Sequence, residues 1–188
     1  MRAGLTADRL VAAGAELADA EGLEAVTVSA LARRFGVRPA SVYSHLASSE
    51  DLRTRITLRA LAELADRAEP ALAGRSGRDA LVALADTYRD YAHAHPGRYA
   101  AAQLRLDAET ARSSAGPRHA AMARAVLIGY DVAEPDRTHA VRLLGSVIRG
   151  FVDLELGGSF EHSEPDAESS WRRSLDALDT LLHHWEDR

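Results

Sequence analysis

The chain has 188 residues, a formal net charge of −5 and no cysteine. This length is sufficient for one or two domains with a buried core, and the lack of cysteine excludes disulfides and thiolate metal sites. The net acidic charge argues against an extended nucleic-acid surface, so any contact with DNA must be local.

Several sequence features bear on cofactors and on location in the cell. We expect no cofactor and no metal, because the eight histidines do not show the spacing of a zinc site. The first ten residues are too polar for a secretory signal, and the longest apolar runs are interrupted by arginine. We therefore expect a cytoplasmic protein with no membrane partner.

The composition and the apolar periodicity predict an all-α fold. Strand-forming residues are sparse, whereas alanine, leucine, arginine and glutamate dominate. The six prolines lie between or at the edges of about nine predicted helices. These helices span roughly 6–20, 28–35, 39–45, 49–68, 77–94, 97–106, 116–131, 135–157 and 167–186.

The second and third predicted helices have well-defined ends. Thr27 can cap the free amides of the second helix, and Val26 can pack against Leu31 as a hydrophobic staple. Gly36 can adopt the left-handed conformation that ends this helix, and Pro39 can be the first residue of the third helix. Two short helices joined by a tight glycine turn, after a preceding helix, are typical of a helix-turn-helix.

The segment from Thr27 to Leu52 resembles the DNA-binding segment of the TetR family of transcriptional regulators. It combines the capped helix, a Gly-Val turn, the pattern Ser-x-Tyr-x-His in the third helix, and Ser-x-Glu-x-Leu at the next helix start. The resemblance implies a three-helix helix-turn-helix DNA-binding domain over residues 1–52. It also implies a larger helical ligand-binding and dimerisation domain over residues 53–188.

Two positions depart from the family pattern. Ser49 stands where the family usually has a lysine that contacts phosphate, and Leu46 stands where phenylalanine is usual. The serine removes one charge-assisted contact with DNA and reduces the expected salt dependence of binding.

Positive charge is concentrated in the predicted helix-turn-helix, because residues 25–49 contain three arginines, one histidine and no acidic residue. The start of a recognition helix contacts base edges, whereas hydroxyls and cationic side chains contact phosphates. The residues predicted to read bases are Ser29, Arg38, Pro39 and Ala40. The residues predicted to contact the DNA backbone are Thr27, Ser41, Tyr43 and His45, and Ser49 completes the predicted DNA-binding set. The alternatives are a place in the core for Val42 and Tyr43, and simple exposure to solvent for His45.

The middle helices contain a candidate ligand pocket. Aromatic and polar residues on and after the fifth predicted helix can line a cavity for a small, largely apolar effector. The predicted ligand-binding residues are Tyr88, Tyr91, His95, Tyr99 and Gln103. The alternative is that this aromatic stripe belongs to the core. The segment also resembles a TetR subgroup with a WHG-like C-terminal domain, although Ile148-Arg149-Gly150 replaces the Trp-His-Gly that names the subgroup.

The last predicted helix carries an apolar seam with steps of four and three residues. The preceding helix is apolar on more than one face, so one side can pack within the chain and the other against a symmetric partner. The predicted dimer interface consists of Phe151, Trp171, Leu175, Leu178, Leu182 and Trp185. The alternative is that both faces pack within one chain.

The sequence therefore predicts a ligand-responsive transcriptional regulator, by family default a repressor. It binds a palindromic operator as a homodimer and is released by a small-molecule effector. An enzyme is not predicted, because His93 and His95 diverge on a helix and no nucleophile or phosphate-binding motif is present. The alternative function is a dimeric small-molecule-binding or protein-interaction module without DNA binding.

Overall fold

The computed structural model describes residues 4–185, which form ten α-helices, one short 3-10 helix and no strand. The helices are α1 (Ala7–Glu21), α2 (Val28–Phe35), α3 (Pro39–Tyr43), α4 (Ser49–Leu72), α5 (Gly77–Ala94), α6 (Pro96–Ala102), α7 (Ala108–Ser113), α8 (Gly116–Ile128), α9 (Glu134–Leu156) and α10 (Ala167–His183). The 3-10 helix is Leu23–Ala25. The all-α prediction is confirmed. Within these residues, no helix has the length and apolarity needed to cross a bilayer.

The helix α7 and the end of α4 are among the features that differ from the sequence prediction. The short helix α7 was not predicted, because none of its residues is buried and no apolar periodicity marks it. It is held by Asp107, whose Oδ1 accepts hydrogen bonds of 3.0 Å from the amides of Glu109 and Thr110. The helix α4 continues past Pro70 to Leu72, although an interior proline lacks the amide hydrogen bond and its ring crowds the preceding turn.

Contacts within the chain divide it into two compact units. The N-terminal unit contains residues 4–63 and 94–115, and the C-terminal unit contains residues 64–93 and 116–185. Each unit is therefore built from two separate stretches of sequence. The predicted domain boundary between residues 52 and 53 stays a prediction.

The core of the N-terminal unit joins α1 to the helix-turn-helix and to the first half of α4. A methyl group added at Gly14 would lie 2.9 Å from Cδ1 of Ile56 and 3.3 Å from Cδ1 of Leu52, so glycine allows α1 to pack closely on α4. The large side chains that are completely buried here are Leu10, Leu31, Leu46, Leu52 and Ile56. This core fixes the helix-turn-helix to a rigid support.

The C-terminal unit contains a mostly buried ion pair that joins α5 to α9. Arg89 donates to both oxygens of Glu155 at 2.6 and 2.8 Å, and it also donates to Glu168 at the start of α10. The side chains of Arg89 and Glu155 are only 13% and 10% exposed. The hydrogen bonds from Arg89 hold the pKa of Glu155 below its ordinary value, although burial acts in the opposite direction.

We expect Glu155→Gln to lower the free energy of unfolding by about 1–3 kcal/mol at neutral pH, because it removes the charged acceptor of a mostly buried guanidinium. A carboxyl whose folded-state pKa is lowered stabilises the fold fully above its unfolded pKa, and this stabilisation is lost as the pH falls through the folded pKa. The variant should therefore lose less stability than the wild type between about pH 5 and pH 3. Urea unfolding at a series of pH values measures both effects. Glu21→Gln, at an exposed position of α1, is the control with the same change of charge. Equal responses of the two variants would contradict the role of Glu155.

Candidate nucleic-acid interface

The N-terminus of α2 is held by two hydroxyl groups. Oγ1 of Thr27 accepts a hydrogen bond of 3.1 Å from the amide of Ala30, which confirms the predicted cap. Oγ of Ser49, at the start of α4, accepts a longer hydrogen bond of 3.4 Å from the amide of Val28. Both hydroxyls keep their proton for another acceptor. The two helix N-termini are thus brought together at one edge of the helix-turn-helix.

The turn between α2 and α3 has the predicted geometry. Gly36 has a φ of +65°, which favours glycine, and the amide of Val37 donates to the carbonyl of Ala32 at 3.0 Å. Arg38 is extended, as the residue before a proline should be, and Pro39 is the first residue of α3. These constraints set where α3 begins.

Helix α3 has one buried anchor and an exposed remainder. Val42 is completely buried, which confirms the core alternative for this residue, whereas Tyr43 is 55% exposed, which contradicts that alternative. Most of the other predicted DNA-binding residues are also exposed: Ser29, Arg38, Pro39, Ala40, Ser41 and His45. Thr27 and Ser49 are partly buried. The structure therefore presents the α3 residues to solvent, and their contacts with DNA stay predictions.

The start of α4 carries a cap that the sequence analysis did not identify. Oγ of Ser48 accepts from the amide of Asp51 at 3.0 Å, and the Asp51 carboxylate accepts from the amide of Ala47 at 2.9 Å. Hydrogen bonding to Arg55 holds the pKa of Asp51 below its ordinary value. The Ser-x-x-Asp spacing at residues 48–51 is the signal that would have predicted it. This cap orders the chain directly after α3.

Several acidic side chains of α1 are paired with arginines or histidine of the same unit. Arg34 of α2 donates to Glu16 and to the carbonyl oxygen of Ala13. Asp19 forms an ion pair with Arg98, with 3.1 Å between Oδ2 and Nε, and Oδ2 also lies 3.2 Å from Nδ1 of His95. These pairs balance the negative charge of both carboxylates within the N-terminal unit.

Helix α6 is fastened to α1 by its backbone. A methyl group added at Gly97 would lie 2.0 Å from the carbonyl carbon and oxygen of Ala18, so only glycine fits there. Oδ1 of Asp19 accepts from the amide of Arg98 at 2.8 Å and thus satisfies a free amide at the start of α6. The buried hydroxyl of Thr57 donates to the carbonyl of Ala101 at 2.9 Å. The role of Asp19 could not be predicted, because no local sequence pattern links residues 19 and 98.

The predicted ligand-binding residues are divided between the two units. Tyr88 and Tyr91 belong to the C-terminal unit, whereas His95, Tyr99 and Gln103 belong to the N-terminal unit. Tyr91 is completely buried and Tyr99 is 5% exposed, and the hydroxyl of Tyr88 contacts Nδ1 of His119. His95 lies against Asp19, as described above. Their roles in ligand binding stay predictions.

Most of the predicted dimer seam is covered by its own chain. The residues of α10 that are at most 4% exposed are Trp171, Leu175, Leu178 and Leu182, while Phe151 and Trp185 are partly buried. The indole of Trp171 donates to Asp86 of α5 at 2.7 Å, and its ring centroid lies 5.0 Å from that of Phe151. On α9, in contrast, Leu154 is 51% exposed.

Comparison with sequence families identifies two matching regions. Residues 10–56 match the family described as "Bacterial regulatory proteins, tetR family". Residues 81–178 match the family described as "Tetracyclin repressor-like, C-terminal domain".

Two curated relatives are similar over most of the chain. The HTH-type transcriptional regulator YobS of Bacillus subtilis is 32% identical over 89% of this chain and 88% of its own length. The HTH-type transcriptional regulator Rv0681 of Mycobacterium tuberculosis is 34% identical over 88% of this chain and 77% of its own length.

Solved structures share the fold. BioQ of Mycobacterium smegmatis has a TM-score of 0.72 at 20% identity, with 96% of this chain and 98% of that chain covered. A structure of BioQ with its double-stranded DNA operator has a TM-score of 0.70 at 20% identity, with coverages of 96% and 99%. A variant of TetR from Acinetobacter baumannii AYE, in complex with minocycline, has a TM-score of 0.71 at 22% identity, with coverages of 97% and 98%.

We expect Gly97→Ala to lower the free energy of unfolding by about 1–3 kcal/mol or more, because the added methyl meets backbone that cannot rotate away. Amide hydrogen exchange should also become faster in α6. Ala100→Ser, which adds one atom at an exposed position of the same helix, is the control. If Gly97→Ala unfolds at the wild-type urea concentration, α6 does not lie on α1 in solution as described.

Proposed function

The chain belongs to the TetR family of bacterial regulatory proteins, and from this premise we propose that it is a repressor that binds a palindromic operator as a homodimer and responds to a small effector. The observation that carries the proposal is the exposed side of α3, which a capped α2, a glycine turn and a buried Val42 hold in place. We propose no catalytic role. We place the protein in the cytoplasm, where a bacterial operator is found.

We infer that two copies of α3, related by the dimer axis, enter successive major grooves. In that arrangement, Arg38 pairs with a guanine and Ala40 contacts a thymine methyl. The hydroxyls of Thr27, Ser41, Tyr43 and Ser49, together with His45, contact phosphates, while Ser29 and Pro39 lie against base edges. The BioQ structure, which contains an operator, supports DNA binding by this fold.

The apolar seam of α10 is already covered within the chain, so it is not free to contact a partner. We therefore infer that the dimer contact uses the exposed side of α9, together with the side of α10 that lies away from its own chain. Leu154 is half exposed, and a methyl group added at Gly150, which lies four residues earlier on the same face, would meet nothing within 4 Å. Glycine inside an exposed helix costs about 0.5–1 kcal/mol relative to alanine, and a second helix that packs closely against it offers a reason for this cost. A second copy of the same face is the partner that a two-fold axis supplies.

We propose that a small, largely apolar effector weakens operator binding through α6. Of the predicted ligand-binding residues, His95, Tyr99 and Gln103 lie on or beside this helix, which is fastened to α1 of the DNA-binding unit. An effector that displaces α6 would therefore act directly on the support of α3. The affinities for effector and operator must then be coupled reciprocally. The minocycline complex of the TetR variant supports ligand binding by this fold.

The test of DNA reading uses two variants that should fail in different ways. Arg38→Ala should relax discrimination at one symmetric base position, at a cost of roughly 1–3 kcal/mol per half-site. Tyr43→Phe removes one hydroxyl and should weaken binding to every sequence alike, by about 1.5–3 kcal/mol per half-site if it binds a charged phosphate. Binding to selected and scrambled duplexes, taken from upstream of the protein's own gene, measures both effects. Arg112→Ala on α7 is the control. Wild-type protein that binds no duplex would support instead the module without DNA binding.

The test of the dimer separates the exposed face of α9 from the buried seam. Leu154→Glu should give folded monomers in sedimentation, because it places a charge in the contact between protomers. Leu178→Glu should instead unfold the protein, because Leu178 is 4% exposed within its own chain. Circular dichroism distinguishes loss of the partner from loss of the fold. A dimer that survives Leu154→Glu would place the interface elsewhere.

A further inference from the structure

We propose that Arg33 is an additional phosphate-binding residue of the DNA-binding unit and that its neighbour Arg34 is not. The inference rests on the proposed DNA-binding function. The sequence alone does not separate the two residues, because both are arginines in the last turn of α2. The structure separates them by their partners.

Arg34 is already engaged within the protein. Its guanidinium donates to the carboxylate of Glu16 and to the carbonyl oxygen of Ala13, so it fastens α2 to α1. The charge of Arg34 is thereby neutralised by Glu16. Arg33 is exposed, and within the described part of the chain it has no hydrogen bond, ion pair or ring contact.

The other arginines of residues 4–63 are also engaged, apart from Arg38. The engaged residues, with partners in parentheses, are Arg9 (Gly4 and the Phe35 ring), Arg53 (Glu24), Arg55 (Asp51) and Arg59 (Glu63). Arg33 and Arg38 are thus the arginines of this stretch whose guanidinium groups are available to an external anion. Both flank the turn that precedes α3.

The position of Arg33 on α2 suits a phosphate. Arg33 follows Ser29 by four residues, so the two lie on one exposed face of the helix, while the opposite face carries the buried Val28, Leu31 and Ala32. The first helix of a helix-turn-helix crosses the DNA backbone while the second enters the groove. A free guanidinium on the exposed face of α2 is therefore placed for the backbone rather than for a base.

This assignment has a measurable electrostatic consequence. Each phosphate neutralised by a cationic side chain contributes about −0.9 to the slope of log K against log salt. A dimer contains two copies of Arg33, so together they contribute about −2 to this slope. Between about 50 and 200 mM salt, the wild type should therefore lose about tenfold more affinity than a protein without Arg33. The total slope should be small for a dimer, because Ser49 replaces a lysine and most other arginines are internally paired.

The experiment compares Arg33→Gln with the double variant Glu16→Gln/Arg34→Gln, which removes a neighbouring arginine without changing the net charge. Binding to a duplex from upstream of the protein's own gene, and to a scrambled duplex of the same length, is measured across a salt series. Arg33→Gln should weaken binding to both duplexes and reduce the slope by about 2. The double variant should keep the wild-type slope.

Each outcome bears on the proposal. A wild-type slope for Arg33→Gln, in protein whose wild type binds both duplexes, would overturn the role of Arg33 and leave the proposed function intact. A loss of slope in the double variant equal to that in Arg33→Gln would show that Arg34 also binds phosphate. Wild-type protein without affinity for either duplex would overturn the proposed function itself. Thermal unfolding of Arg33→Gln should match the wild type, because the side chain has no partner to lose among residues 4–185.

Discussion

The close approach of α6 to α1 at Gly97 is the contact on which the N-terminal unit depends. The backbones touch where a side chain would stand, and Asp19 then satisfies the start of α6 and binds the Arg98 guanidinium. Buried polar groups need such partners, and Thr57 finds its own in a carbonyl of the same helix. The helix-turn-helix is therefore supported by a segment distant from it in sequence, and the contacts of α6 with α1 and α4 connect the two.

Much of the helix-turn-helix could be predicted from sequence, because its determinants are local. Thr27 caps the helix that follows it by binding an amide three residues along the chain, Gly36 takes a conformation that other residues avoid, and Pro39 is favoured at a helix start. The partners of Arg34 and Asp19 could not be predicted, because they depend on how helices pack. The apolar seam of α10 was visible in the sequence, but periodicity alone does not say whether the chain or a second copy covers it. Burial of Trp171 and Leu178 answers that question within the chain.

The distribution of charge explains how an acidic protein presents a basic surface. The formal charge of −5 is an average over residues that have different partners. Glu16 and Asp19 form ion pairs with arginines of their own unit, and no acidic residue lies between residues 25 and 49. The charges that remain after internal pairing include those of Arg33 and Arg38, and these are the charges that the proposed DNA contact would use. The net charge of the whole chain is thus a poor guide to the electrostatic field near one of its turns.

The discontinuous N-terminal unit also has a consequence for the order in which the protein folds during synthesis. Chains emerge from the ribosome N-terminus first, and the helix-turn-helix is complete in sequence by residue 52. The segment that supports it is not yet complete at that point. Asp19 binds Arg98 and Thr57 binds Ala101, and these partners follow 79 and 44 residues later in the sequence. Until α6 emerges, the hydroxyl of Thr57 and the backbone of Ala18 lack the contacts that cover them in the complete fold. The helix-turn-helix is therefore fully supported only after half of the chain has been translated, when the first segment of the C-terminal unit is already outside the ribosome.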